Sequence, residues 1–191
     1  MPTVKGIKKT MKEKGILDEL INKIDFPKPQ GNQAKEVISL INQMDDLLSC
    51  DQCLEIMEEQ GCCKTINIAA PFIEFNNKHG DKSIDEKVEL LNKADIPHKV
   101  PCHINSDGTL SIAWGILHDE KYQCVCRTIK RLYKENGCPV NVTKTFCGCC
   151  AGHVRHTYQH ALGVKLKLKE IVSSPISSDG KEGCKFLFDI L

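Results

Sequence analysis

The sequence has few aromatic residues, no excess of charge of one sign and no long apolar run. Its 191 residues include six Phe, three Tyr and one Trp, too few to favour a surface on which nucleic-acid bases stack. The 26 basic residues are balanced by 25 acidic ones, so the bulk charge indicates neither a nucleic-acid nor a membrane partner. The longest apolar runs, 66–73 and 111–117, are shorter than the ~20 residues of a membrane-spanning helix.

Familiar signatures of enzymes and of export are also missing. The sequence contains no glycine-rich phosphate loop, no His-Glu-x-x-His and no Gly-x-Ser-x-Gly, which argues against the enzyme classes that these motifs mark. The first 24 residues mix lysine with acidic residues and lack the apolar stretch of a signal peptide. We therefore expect a cytoplasmic location, in which cysteines remain thiols.

Cysteine, in contrast, is abundant, with twelve in the chain. Clustered cysteines in a reduced compartment more often mark a metal site or a reactive sulfur than a set of disulfides. An early group contains Cys50, Cys53, Cys62 and Cys63, and a late group contains Cys124, Cys126, Cys147, Cys149, Cys150 and Cys184.

Apolar periodicity predicts helices in the first part of the chain. Helical spacing extends over 4–24, with a break at Gly15, and over 37–48, with a continuation that reaches as far as Gly61. A linker rich in proline and glycine, at 27–31, separates the two.

The connecting region is also predicted to be helical. Pro71 is expected to open a short helix that ends near Gly80. Ser83 and Glu86 have the spacing of a capping box, in which each side chain satisfies the other's backbone amide, and they predict the start of a further helix.

The last part of the chain changes to strands. Asp-Gly at 107–108 predicts a hairpin, and alternation predicts strands over 123–129, 164–169 and 184–191. A helix is expected from 147 to Gly163, with the glycine as its stop. Helices followed by an antiparallel sheet define an α+β fold. We expect one domain over 1–191, with a helical part at 1–64, connecting helices at 65–96 and an α+β core at 97–191.

The late cysteines have the spacing of a metal site. Alternation places Cys124 and Cys126 on one face of their predicted strand, and Cys147 and Cys149 repeat the Cys-x-Cys spacing after an interval of twenty residues. This pattern resembles a four-thiolate arrangement for zinc or an iron–sulfur cluster, although zinc-binding pairs usually enclose two or more residues. Alternatively, Cys124 and Cys126 are small core residues, since free cysteine is often buried.

Three cysteines lie where the helix at 147–163 is expected to start. The free amides and the positive dipole end of a helix start lower the pKa of a thiol and favour the thiolate, which binds metal or attacks carbon. This favours a functional role for Cys149 and Cys150 over a packing role.

The early cysteines do not point to one function. Cys50 and Cys53 are three residues apart on a predicted helix, so they either converge on one ion, form a redox pair or continue an apolar stripe. Cys62 and Cys63 follow the predicted end of that helix, where packing is the favoured interpretation. His103 beside Cys102 is a further, weak candidate for a pair of ligands.

The predicted helix 147–163 also carries histidines on one face. Cys149, His153, His156 and His160 are spaced four, three and four residues apart. This stripe is either a metal site, a proton relay or a solvated face. The opposite face, expected to meet the core, carries Ala151, Val154, Tyr158 and Ala161.

The last fifty residues contain the most specific pattern. Cys149 enters a helix that contains Gly152, Leu-Gly follows at 162–163, a strand leads to Glu170, and Cys184-Lys-Phe-Leu-Phe comes near the end. This pattern resembles the end of the 4-vinyl-reductase-type ligand-binding domains and of cysteine-rich bacterial proteins related to L-2-amino-thiazoline-4-carboxylate hydrolase.

The resemblance, which covers about residues 97–191, implies a fold and a kind of site. It implies an α+β fold with a twisted antiparallel sheet, one helix packed across the sheet, and often a dimer. It also implies a pocket for small apolar molecules or a metal held by cysteines. Cys149 and Cys184 would be the family-type pair, and Gly152 would allow a close approach of helix and sheet. No catalytic residue set carries over, so the hydrolase activity is not implied.

Three functions remain open at this point. The first is a module that binds a small molecule, or a zinc ion or iron–sulfur cluster through Cys124, Cys126, Cys147, Cys149 and Cys184. The second is a cysteine-dependent hydrolase of a small heterocycle or amide. Its nucleophile would be Cys149 or Cys150, and its general base His153 or His103. The third is an interaction protein, a homodimer in its simplest form, in which Ile38, Ile41 and Leu48 pack against another chain.

Overall fold

The computed structural model describes residues 2–28, 34–61, 64–136 and 142–191, without the side chains of residues 133 and 136. Part of the expected linker at 27–31 lies outside the described residues. Three of the twelve cysteines, Cys62, Cys63 and Cys138, lie outside them as well.

Eight α-helices and six β-strands are described, and they are numbered here in chain order. The helices are α1 (Val4–Glu13), α2 (Asp18–Lys23), α3 (Ala34–Leu47), α4 (Cys50–Glu58), α5 (Ile66–Lys78), α6 (Ile84–Lys93), α7 (Arg127–Asn136) and α8 (Gly148–Leu162). The strands are β1 (Cys102–Ile104), β2 (Leu110–Trp114), β3 (Ile116–His118), β4 (Lys121–Gln123), β5 (Leu166–Ser173) and β6 (Cys184–Ile190).

The fold is α+β, as the sequence predicts: six helices precede an antiparallel sheet. Four strands form this sheet in the order β1-β2-β6-β5, and β3 pairs with β4 as a separate hairpin. In the central pair, Leu110 lies opposite Phe188 and Ile112 opposite Phe186. All four side chains are fully buried, so this face of the sheet meets the core.

Several predicted boundaries are confirmed. Helix α1 ends before Gly15, which has a φ of +71°, and the capping box at Ser83 starts α6. Helix α8 ends at Gly163 in the left-handed conformation. Lys167 of β5 is exposed between the buried Leu166 and Leu168, and Lys169 is exposed next to Leu168.

The predicted long helix after residue 37 is interrupted, because a second capping box starts a new helix within it. The Ser49 hydroxyl accepts a hydrogen bond from the amide of Gln52, whose side chain accepts one from the amide of Ser49. Helix α4 therefore begins at Cys50 rather than continuing α3. The predicted start at Pro71 is also wrong, since α5 begins at Ile66 and contains this proline.

The predicted strand over 123–129 is wrong. Strand β4 ends at Gln123, residues 124–126 have no regular structure, and α7 begins at Arg127. Helix α7 buries Thr128, Ile129 and Leu132, which are spaced as one face of a helix.

Two hydrophobic clusters form the core. The first is built from α1, α3 and α4 with Ile129 and Leu132 of α7. The second lies between the sheet and the apolar face of α8, with contributions from α5 and α6. The predicted core face of α8 is confirmed, because Ala151, Val154, Tyr158 and Ala161 are buried there. Ile176 packs against both clusters.

No helix within the described ranges combines the length and the apolar character needed to cross a membrane.

Candidate metal-binding site

Five cysteines from three separate segments lie in one region of the fold, where they pack in or against the two hydrophobic clusters. Each interacts electrostatically with others of the set. We call this set the five-cysteine cluster: Cys124, Cys126, Cys147, Cys150 and Cys184.

The fold explains why these segments converge. Cys184 is the first residue of β6 and lies opposite Trp114 of β2 in the sheet. Cys147 is the last residue of a 3₁₀ turn, Lys144–Cys147, that runs directly into α8. Cys150 follows three residues later, and positions three apart lie on the same side of a helix.

The other two members, Cys124 and Cys126, come from the connection between β4 and α7. Both are partly buried and pack against the first hydrophobic cluster, whereas Cys147 and Cys184 belong to the second. The connection at 124–126 and the start of α8 therefore lie in the same region of the fold, although the strand from which we derived this is absent. The predicted ligand set itself stays a prediction.

Burial keeps four of these thiols protonated. It raises the pKa of Cys124 and of Cys184 from 9.0 to about 12 and the pKa of Cys147 to about 11. Burial also raises the pKa of Cys150 well above 9.0, and the neighbouring cysteines Cys147, Cys126, Cys124 and Cys184 raise it further. A thiolate at one cysteine thus raises the pKa of its neighbours, and a cation bound between the sulfurs would lower the pKa of each of them.

The lowered pKa that we expected at the start of α8 is not found at Cys150. The dipole of a helix start acts over the first turn and is worth a fraction of a kcal/mol to about 2 kcal/mol. Removal of a thiolate from water costs more than this. Cys150 therefore does not have the thiolate character that we expected of a nucleophile.

Cys149, a predicted ligand, makes a hydrogen bond to the backbone just beyond α4. Its sulfur lies 3.2 Å from the backbone oxygen of Gln60, to which the thiol donates a hydrogen bond. It is buried in the first hydrophobic cluster, while Cys184, its predicted partner, lies in the second and interacts with Cys147, Cys124 and Cys126. Residues 149 and 150 are adjacent on a helix, so their side chains diverge by about 100°.

The cluster is not a preformed metal site. Within the ranges that the structure describes, no three histidine, cysteine, aspartate or glutamate side chains are arranged so that they hold a metal ion.

The histidines of α8 form a separate, half-buried stripe. The rings of His156 and His160 meet edge to face, with their centroids 4.9 Å apart. Desolvation, followed by the charge of His160, lowers the pKa of His156, so its neutral form is favoured. His153 is half-buried on the same helix. The stripe is therefore not a fully solvated face.

Cys50 and Cys53, the two early cysteines that the structure describes, and Cys102 lie elsewhere. Cys50 is exposed at the start of α4, and Cys53 is buried; desolvation, followed by Asp45, raises the pKa of Cys53 to about 12. Cys102 is buried in β1, while the adjacent His103 is exposed, because successive residues of a strand face opposite sides. The predicted pairing of Cys102 with His103 at one ligand site is therefore wrong.

An ion-pair network fixes α8 against α4. The guanidinium of Arg155 lies 2.6 Å from Glu58 and 2.8 Å from Glu59. The buried carboxylate of Glu58 also accepts a hydrogen bond of 3.3 Å from the amide of Leu168 in β5. The network ties α4, α8 and β5 together and so holds the helix that carries Cys150.

Gly152 allows a close approach, but to a helix rather than to the sheet. A β-carbon at this position would lie 2.7 Å from the backbone carbon and 2.9 Å from the Cα of Glu58. The expectation that this glycine meets the sheet is corrected, since its close neighbour is the end of α4.

The residues that we expected to contact another chain are internal. Ile38, Ile41 and Leu48 are buried in the first hydrophobic cluster of their own chain. The interaction hypothesis in the form that uses these residues is therefore wrong.

Sequence reasoning missed two parts of the site. Cys150 was assigned to catalysis only, although its spacing of three from Cys147 on a predicted helix is a signal for a shared face. Ser174 was not assigned to the site at all; it is fully buried and it lowers the pKa of Cys147, against the larger effect of burial. Nothing in the sequence connects Ser174 to Cys147, since β5 lies between them.

Comparisons with known proteins do not assign the chain to a family. No family model matches it, and no curated protein is significantly similar to it. Among solved structures it is similar to an H-NOX protein from S. oneidensis, in the Fe(II)NO ligation state, with 11% identity and a TM-score of 0.32. The alignment covers 97% of this chain and 98% of the other. A TM-score this low does not establish a common fold.

Proposed function

We propose that this protein is a binding module for a metal held by thiolates, a zinc ion in the first instance, with ligands drawn from the five-cysteine cluster. The observation that carries the proposal is that cysteines from three distant segments pack in one region, near enough for charges on their sulfurs to interact. Thiolate is the ligand that zinc and iron–sulfur clusters prefer.

The pairing of cysteines within the cluster supports zinc. Cys147 and Cys150 are separated by two residues, which is the usual spacing of a zinc-binding pair. Cys184 and one of Cys124 and Cys126 would complete a tetrahedral set of four. The fifth sulfur would then be a neighbour of the metal rather than a ligand.

Small side-chain movements would assemble the ligands. A change of 120° about χ1 moves a cysteine sulfur by about 3 Å without movement of the backbone. Coordination also releases the thiol protons, so the high pKa values of the metal-free cluster do not prevent binding. The bound cation would remove the repulsion between neighbouring thiolates.

Metal content tests the proposal. Protein purified without oxygen should contain about one zinc ion per chain, as a structural four-thiolate site does. The double variant C147S/C150S should lose the metal. The matched control is C102S, which alters a buried cysteine that is not part of the cluster; it should retain wild-type metal content.

The same measurement separates the outcomes. If the purified protein contains iron and sulfide and has a visible chromophore, the metal of the proposed site is an iron–sulfur cluster and not a zinc ion. Wild-type protein that stays free of metal after incubation with zinc or iron and sulfide would contradict the proposal. Metal retained in full by C147S/C150S would place it elsewhere in the chain.

A further inference from the structure

A cleft of about 450 Å³ lies beside the five-cysteine cluster. This size is within the range of small-molecule sites. Residues from three segments line it: Lys121 and Tyr122 from β4, Ile129 and Lys130 from α7, and Pro175 and Gly180 from the loop that follows β5. Cys124 also lines it, so the cleft and the cluster share a side chain.

One wall of the cleft is held in place by hydrogen bonds. The amide of Gly180 donates to the backbone oxygen of Pro175 at 2.8 Å, and the amide of Tyr122 donates to the oxygen of Gly180 at 2.8 Å. The hydroxyl of Ser178 donates to the backbone oxygen of Ser174 at 2.8 Å. The loop is therefore joined to β4 and to itself, so the cleft does not need a ligand to form.

The lining combines an apolar body with an uncompensated positive charge. Tyr122, Ile129 and Pro175 supply apolar surface. Lys121 is paired with Asp179 at 3.6 Å, so these two charges largely cancel. Lys130 forms no ion pair with any residue in the described part of the chain, and it lines the cleft together with Cys124.

We propose that this cleft binds a small organic carboxylate, with its apolar body against Tyr122 and Pro175 and its carboxylate beside Lys130. A cleft with mainly apolar walls and one unpaired cation fits an anion that has an apolar body better than a neutral molecule or a cation. This site is additional to the metal-binding function, and the proposal does not require the metal.

Alkylation of Cys124 reports the charge preference of the cleft. Iodoacetate and iodoacetamide both form a sulfur–carbon bond with a thiolate and release iodide, and they differ in charge. Both rates are proportional to the fraction of Cys124 that is thiolate, so the ratio of the two rates does not depend on that fraction. These rates are measured by peptide mass spectrometry on the reduced, metal-free full chain.

The exposed Lys130 should favour the anionic reagent. We expect K130Q to lower the ratio of the iodoacetate rate to the iodoacetamide rate about two- to fivefold, the effect of an exposed ion pair. K165Q is the control, because it removes the same charge from a lysine that does not line the cleft, and it should leave the ratio unchanged. An unchanged ratio in K130Q, or a Cys124 that neither reagent alkylates, overturns the proposal.

Protection by a ligand probe gives the second readout. 3-Phenylpropionate should slow the reaction of iodoacetamide with Cys124 more than 3-phenylpropionamide does, and K130Q should abolish the difference. Equal protection by the two probes, or none from either, overturns the proposal. Both experiments use metal-free protein, so a negative result leaves the metal-binding function intact.

Discussion

The substitution G152A tests the packing that holds α8 in place. Gly152 lies inside a helix, where replacement of glycine by alanine ordinarily stabilises a protein by about 1 kcal/mol. At this position the new β-carbon would lie 2.7 Å from the backbone carbon of Glu58. That distance is shorter than real β-carbon contacts, and backbone atoms cannot rotate away.

The stability lost through overpacking should exceed the stability gained because alanine favours a helix more than glycine does. Overpacking of a core costs about 1–3 kcal/mol and occasionally more, and the upper end applies because α4 and α8 must separate as rigid helices. Subtraction of the propensity gain leaves a net loss of about 2 kcal/mol in the free energy of unfolding. For a chain of this size, the loss corresponds to a fall in Tm of about 4–8 °C.

Urea denaturation followed by circular dichroism measures this loss. G80A is the control, since the nearest atom to its added β-carbon would be the backbone oxygen of Asn76 at 3.3 Å, and it should change the stability by less than about 1 kcal/mol. A G152A protein as stable as the wild type, or more stable, would refute the close packing of the two helices.

Three further predictions concern the cluster, the ion-pair network and the start of α4. Zinc binding near neutral pH should release about four protons per ion, because the thiols that become ligands are protonated in the metal-free protein, and the affinity for zinc should rise with pH. Calorimetry in buffers of different ionisation enthalpy measures the number of protons released. Zinc binding without proton release would contradict thiolate ligation. Burial outweighs the charge of Arg155 and raises the pKa of Glu58 above 4.5. The protonated side chain therefore contributes its whole share of the free energy of unfolding below pH 4.5, and this contribution is lost as the pH rises through the pKa of the folded state. E58Q should therefore gain stability relative to the wild type as the pH rises above 4.5, and a relative loss in urea titrations over this rise would show that the ion pair dominates. S49A should lower the free energy of unfolding by about 1 kcal/mol through loss of the cap, and an unchanged urea midpoint would show that the capping box contributes nothing.

The sequence predicts the elements whose signals are local. The hairpin at Asp107-Gly108, the capping box at Ser83 and the stop at Gly163 depend on turn and cap chemistry within a few residues. The capping box at Ser49 has the same kind of signal, and the apolar periodicity that continues on both sides of it concealed the division of the helix.

The strand predicted over 123–129 failed for a different reason. Alternation over a few residues occurs equally in an irregular connection that leads into a helix, and the face of α7 formed by Ile129 and Leu132 becomes visible only over two turns. The convergence of the cysteines was nevertheless expected from their number and spacing. Which neighbour on α8 joins the cluster depends on the rotation of the helix, which is set by its contacts with α4 and the sheet.

X-ray absorption at the zinc edge tests the central claim most directly. The account predicts that zinc in the wild-type protein is surrounded by four sulfur atoms at about 2.3 Å. Zinc surrounded instead by nitrogen or oxygen atoms at about 2.0–2.2 Å would contradict the account, since the ion would then lie outside the five-cysteine cluster.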